Sequence, residues 1–138
     1  IELSPAPHFD LKEEAQIQNA VAKLIENKLI KSAHDLSEGG LFIAVLESAM
    51  TRNFGFEITT CSSIRKDACL FGEGQSRVIV SIDANTKESF ENFLKSNNIP
   101  NLLIGSVNGK EIVVDGENFG TITEYKDLYD TAIEKYFV

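Results

Sequence analysis

Two short stretches of this sequence combine residue types that can hold an anion or a metal ion. The first is His34-Asp35-Leu36-Ser37-Glu38-Gly39-Gly40, set directly before an apolar run over residues 41–46. Paired glycines let backbone N–H groups approach a ligand closely, and the start of a helix favours negative charge. Asp35 can offer a carboxylate oxygen to Mg²⁺, and Ser37 can donate its hydroxyl to a phosphate oxygen. The same residues also suit a tight turn, in which Gly39-Gly40 supply backbone freedom and Ser37 is the N-cap. His34 reads as a hydrogen-bonded structural histidine, since the spacing names no acid–base partner for it.

The second stretch is Phe71-Gly72-Glu73-Gly74-Gln75-Ser76-Arg77. If it is extended, Glu73, Gln75 and Arg77 fall on one face at i, i+2 and i+4. An acceptor, an amide and a guanidinium in a row can read a polar ligand. They fit equally well a solvated strand entry with a local Glu–Arg pair, worth ~0–1 kcal/mol. No Ser-His-Asp order, P-loop or zinc pattern occurs elsewhere.

These stretches need elements to position them. Residues 1–8, with Pro5 and Pro7, read as a lead-in, and residues 9–138 as a single domain. Asp10 caps a helix over 11–27, with Glu13 at the capping-box position and Ile17, Val21, Leu24 and Ile25 on its inner face. A short strand over 29–33 leads to the first box. The helix after it, over 41–51, is apolar on nearly all sides and must be buried. Strands follow at 56–59 and 76–82, with a short helix or turn over 62–71 between them. Asn85 is expected to cap a helix carrying Phe90, Phe93 and Leu94 inward. Residues 102–107 and 111–114 form strands joined by Asn108-Gly109, a type I′ hairpin signal. Asp115-Gly116 and Gly120 mark further turns. A closing helix over 125–137 aligns Leu128, Ala132, Ile133 and Tyr136, and its aromatics read as packing, as do Phe54 and Phe56. The fold class is α+β, with helices packed on a mixed sheet and a β-α-β-β portion that is partly ferredoxin-like.

Composition narrows the partners. The 138 residues hold 13 Lys+Arg against 21 Asp+Glu, a net charge of −8, and lack the basic footprint of a nucleic-acid binder. No apolar run approaches the about 20 residues of a membrane helix. Nucleic acid and membrane are therefore not expected as partners. Cys61 and Cys69 read as two buried or half-buried free thiols, with no metal-ligand spacing around them. The first residue is Ile1 rather than Met, and a fragment or processed product is expected.

Taken together, Ser32-Ala33-His34-Asp35-Leu36-Ser37-Glu38-Gly39-Gly40-Leu41 and, about thirty residues on, Leu70-Phe71-Gly72-Glu73-Gly74-Gln75-Ser76-Arg77-Val78 closely resemble the C-terminal domain of phosphoribosylformylglycinamidine synthase. That family comprises the ATP-dependent amidotransferases of purine biosynthesis. The resemblance covers nearly the whole chain and implies a C-terminal domain fold like that of aminoimidazole ribonucleotide (AIR) synthase. It implies the second of two paralogous copies. Asp35 then matches a Mg²⁺-ligand position, and Glu73 and Gln75 match substrate-contacting ones. Ser37, Gly39, Gly40 and Arg77 complete the candidate substrate- and phosphate-binding set. Gly72 and Gly74 stand where the family usually has serines.

The implied reaction phosphorylates the formamide oxygen of formylglycinamide ribonucleotide with ATP, and ammonia from glutamine displaces the phosphate. ATP and Mg²⁺ would be held mainly by preceding ATP-binding domains of the same polypeptide, with a glutaminase subunit or domain as partner, in the cytoplasm. No catalytic residue is assigned to this chain, which is expected to be inactive alone. Two alternatives stay open. One is the C-terminal domain of a related ATP-dependent enzyme: AIR synthase, selenophosphate synthetase or thiamine-monophosphate kinase. The other is a non-catalytic module that completes a domain interface.

Overall fold

The computed structural model of the chain describes residues 9–137; the lead-in expected over residues 1–8 lies outside them. Helix α1 (Leu11–Glu26) starts at the expected cap. The Asp10 carboxylate accepts from the backbone N–H of Lys12 at 2.7 Å and of Glu13 at 3.2 Å, pairing donors that every helix start leaves over. Ala20 and Leu24 are buried, Ile17 and Val21 half-buried, and Ile25 is 57% exposed. The inner face is thus turned toward Ala20 and away from Ile25.

Strand β1 (Ser32–Asp35) begins later than expected and runs through His34 and Asp35, which the sequence placed in the loop beyond it. Helix α2 (Gly40–Met50) is buried along most of its length, as its all-round apolarity requires. Strand β2 (Gly55–Ile58), helix α3 (Lys66–Phe71) and strand β3 (Val78–Ser81) follow. Asn85 does not cap the next helix. A 3₁₀ turn (Ala84–Thr86) intervenes, and α4 (Lys87–Ser96) starts after it without a side-chain cap. The Thr86 hydroxyl donates back to the Asp83 carbonyl at 3.0 Å instead, a bond that tightens this turn. Strands β4 (Gly105–Asn108), β5 (Glu111–Val114) and β6 (Glu117–Thr121) precede α5 (Ile122–Thr131) and a final 3₁₀ turn (Glu134–Tyr136).

Helices α1, α2 and α4 stop in the same way. Lys28, Asn53 and Asn98 each adopt positive φ, at 55°, 54° and 52°. The residue after each donates to the carbonyl five positions back: Leu29 to Leu24, Phe54 to Ala49, Ile99 to Leu94. This is the left-handed stop that satisfies the last carbonyls of a helix.

The strands form two sheets. One is the antiparallel pair β1–β3; the other has the order β4-β2-β5-β6. The chain is α+β with a mixed sheet, since β2 runs antiparallel to β4 and parallel to β5. The expected hairpin at Asn108-Gly109 does not form: β2 lies between β4 and β5. Gly55 sits in the crotch, its N–H donating to the Gly109 carbonyl at 3.0 Å. The true hairpin joins β5 to β6 through Asp115-Gly116, whose φ values of 53° and 79° suit the tight turn that favours Asp-Gly. The β-α-β-β run is likewise divided, because β3 pairs with β1 and not with the larger sheet.

The main core gathers Leu41, Phe42, Val45 and Leu46 of α2 against Phe56, Ile58, Ile112 and Val114 of the larger sheet, Leu70 of α3 and Ile122 of α5. Burying each such side chain contributes about 1.5–3 kcal/mol. Phe42 is its hub, with ring centroids of Phe56, Phe71, Phe119 and Tyr125 all between 5.9 and 6.4 Å away. A second cluster joins Ala20 and Leu24 of α1 to Leu94 and Ile99, with Phe90 and Phe93 packed on it as expected. Two expectations about aromatics are corrected. Phe54 points largely to solvent. Of the closing aromatics Tyr125 packs, whereas Tyr129, Tyr136 and Phe137 are exposed, as are Leu128 and Ile133.

Candidate functional site

The two boxes meet on the β1–β3 ribbon. Asp35 is opposite Val78 in the antiparallel register, and the Leu36 N–H donates to the Arg77 carbonyl at 3.0 Å. The segments on either side of this pairing are thereby held side by side. Gly39 then turns the chain into α2 with φ 79°, and Gly40 continues at φ 65°. A Cβ on Gly40 would lie 2.7 Å from the Phe71 carbonyl carbon and 2.8 Å from the Gly72 oxygen. The glycine is therefore required by the close approach of the α3 exit, apart from its backbone angle.

Glu73 closes the arrangement. Its carboxylate accepts the Gly39 N–H at 2.9 Å, across 34 residues of sequence. A carboxylate at the start of a helix meets the positive end of the helix dipole. The anion-favouring position read from Gly39-Gly40 is thus faced by a side chain of the second box. Ser37 is not the N-cap; that position belongs to Gly39, and the Ser37 carbonyl accepts from Gly40 at 3.1 Å. The Ser37 side chain is left exposed.

The second box is not extended. Ser76 has φ 60°, which bends the chain before β3 and breaks the shared face expected for Glu73, Gln75 and Arg77. No Glu73–Arg77 pair forms. The Arg77 guanidinium donates to the Gly74 carbonyl at 3.1 Å and to the Gly72 carbonyl, clamping its own loop. Ser76 donates to Glu14 of α1 at 2.7 Å, and this bond holds the Glu14 carboxyl below its ordinary range. Gln75 is exposed beside them.

His34 is hydrogen-bonded, as expected for a structural histidine. Its Nδ1 lies 2.7 Å from the Asp35 carbonyl oxygen and its Nε2 3.1 Å from the Glu47 carboxylate on α2. Asp35 itself extends outward, with its side chain 78% exposed. Among the described residues no three His, Cys, Asp or Glu side chains gather as a metal cage. Asp35 suits the other kind of site, in which Mg²⁺ takes one or two carboxylates and completes its shell with water and phosphate.

Asp115, unremarked in the sequence beyond its turn, fixes the route from β2 to α3. Its carboxylate accepts from the Thr60 N–H at 2.7 Å and the Thr60 hydroxyl at 2.9 Å, and lies 3.2 Å from Lys66 Nζ. The Thr60 backbone bond, then the hydroxyl and the Lys66 charge, hold this carboxyl below its ordinary range. A carboxyl depressed in the folded state stabilises above its unfolded pKa of about 3.9, and the contribution is lost as pH falls through the folded value. Asp115→Asn keeps the left-handed turn. It is expected to melt below the parent at pH 7, and the gap should shrink below about pH 4. Thermal melts of both proteins from pH 7 to pH 3 check this; a gap independent of pH would disprove it.

Comparison with known proteins identifies the family and the fold. Residues 4–116 match the family model described as AIR synthase related protein, C-terminal domain. The match ends before β6 and α5. The phosphoribosylformylglycinamidine synthase subunit PurL of Alkaliphilus metalliredigens is 38% identical over 125 residues, 86% of this chain and 17% of that protein. The chain therefore spans a small part of this relative's length. T. maritima PurL complexed with FGAR shares the fold with a TM-score of 0.72 at 16% identity, covering 86% of this chain and 21% of that one. T. maritima PurL complexed with ATP matches at 0.67 and 15% identity, over 78% of this chain and 20% of that one. The family model matches most of the chain and the solved structures share its fold, and the chain belongs to the family of AIR synthase related protein C-terminal domains.

Proposed function

We propose that residues 9–138 form one C-terminal domain of a phosphoribosylformylglycinamidine synthase, a purine-biosynthetic ligase that uses glutamine as amide donor and works in the cytoplasm. The observation that carries this reading is the bond from Gly39 N–H to the Glu73 carboxylate, which joins the two boxes into one polar ledge. Asp35, Ser37, Glu73 and Gln75 are all exposed around it. Glu73 holds the head of α2, Gln75 presents an amide beside it, and Arg77 shapes the loop that carries both. Asp35 would offer one carboxylate oxygen to a Mg²⁺ ion, whose charge would offset that of a phosphate group. ATP is held mainly by preceding domains, and a glutaminase subunit or domain delivers ammonia.

The test uses the full polypeptide with its glutaminase. Asp35→Asn removes a charge from an exposed side chain, so its melting temperature should stay within about 2 °C of the parent. Amidotransferase activity and Mg-nucleotide occupancy should fall, activity by about tenfold or more, equivalent to about 1.4 kcal/mol of transition-state stabilisation. Unchanged activity and occupancy would show that this copy of the loop is scaffold.

A further inference from the structure

Cys61 and Cys69 lie outside the polar ledge, and the family reading makes no use of them. Their Sγ atoms are 3.1 Å apart and both are free thiols, Cys61 half-buried and Cys69 buried. A disulfide bond is about 2.05 Å long, so closure requires the sulfurs to approach by about 1 Å. Both ends of the intervening segment are already anchored on one carboxylate. Asp115 binds Thr60, next to Cys61, and Lys66, one helical turn before Cys69. Lys66 also pairs with Glu117 at 3.3 Å. The native fold therefore holds the two thiols in register before any bond forms.

From this juxtaposition we infer that Cys61 and Cys69 are an oxidisable dithiol that closes into an intramolecular disulfide with a small-molecule disulfide as oxidant. Cys61 reacts first because it is the more accessible, and its hydrogen-bond contact with the Cys69 thiol holds it below the ordinary range. Burial pushes the Cys69 thiol up, which keeps it protonated until its partner has reacted. The Cys61 thiolate attacks one sulfur of glutathione disulfide, forming a mixed disulfide and releasing one glutathione thiolate. Cys69 then loses its proton to solvent, and its thiolate attacks the Cys61 sulfur and expels the second glutathione. The protein loses two electrons and two protons, and one glutathione disulfide becomes two thiols. The product staples α3 to the chain leaving β2. The backbone following Cys69, from Leu70 to Gly72, is the wall against which Gly40 packs, so the staple fixes one side of the ledge.

The experiment equilibrates the chain in glutathione buffers, folded and in urea, quenches with acid and maps tryptic peptides. Cleavage after Arg52, Arg65, Lys66 and Arg77 separates residues 53–65 from 67–77. Oxidation of the folded chain should join these two peptides, with a mass two hydrogens below their sum and release on reduction. Because the fold prearranges the thiols, the equilibrium constant for closure should be about tenfold larger folded than in urea. In Cys69→Ser, a stable glutathione adduct should collect on Cys61. Equal constants in the two states would overturn the inference. So would mixed disulfides that persist in the folded parent without joining the peptides.

Discussion

Gly40→Ala is expected to destabilise the fold by roughly 2–4 kcal/mol. Two separate effects add. The residue is at φ 65°, where an L side chain costs about 1 kcal/mol or more. The added methyl would also meet the carbonyl carbon of Phe71 and the oxygens of Gly72 and Leu70 at 2.7–2.9 Å. Those atoms are backbone, so no rotamer change relieves the collision; α2 must separate from the α3 exit, which carries the chain to Glu73. Gly116→Ala is the matched control, since φ is 79° there and nothing lies within 4 Å of the added atom. It should lose only the backbone part, about 1 kcal/mol. Urea unfolding of both variants separates the two effects, and equal losses would remove the packing argument.

Gly55→Ala should produce a loss of about 3 kcal/mol or more, lowering the melting temperature by roughly 10 °C. No left-handed backbone is involved here. The new Cβ would fall on the Glu111 carbonyl oxygen, 2.5 Å from the Glu111 nitrogen and 2.6 Å from the Lys110 carbonyl carbon. Gly55 is the point at which β2 enters between β4 and β5, so displacement disturbs both ladders and the buried Phe56 next to it. Gly109→Ala, across the crotch, meets nothing within 4 Å and should be much milder despite its φ of 40°. A melting temperature for Gly55→Ala equal to that of Gly109→Ala would show that the crotch has slack.

Features decided by neighbouring residues could be read before the structure. The all-round apolarity of 41–46 required a buried helix, and Asp10 ahead of an amphipathic run required a capped one; both are found. Features decided by distant pairing could not. Asn108-Gly109 and Asp115-Gly116 are equivalent turn signals, and only the insertion of β2 dictates that the second makes the hairpin. The stripe of Leu128, Ala132, Ile133 and Tyr136 has helical spacing, yet the described residues leave it exposed, because spacing defines a face without naming what covers it. At the site, residue types identified Glu73 and Gly39 separately. Their bond depends on the β1–β3 register and on the bend at Ser76, and neither has a local signature beyond the serine itself.

The insertion of β2 also orders the assembly of the molecule in time. Glu57 is paired on one side with Ser106 and on the other with Val113, and His34 waits for Ile79. Among the paired strands of the described residues, only β5 and β6 follow one another directly along the chain. Closing the long loops costs entropy before their contacts repay it, which slows folding. As the chain leaves the ribosome, Phe56 and Ile58 remain without their sheet until residues beyond 105 have emerged. A nascent chain halted short of that point exposes two side chains that later become the floor of the core. Synthesis through β6 supplies a local hairpin on which β2 can dock, so the last third of the chain licenses the folding of the strand at the centre of the larger sheet.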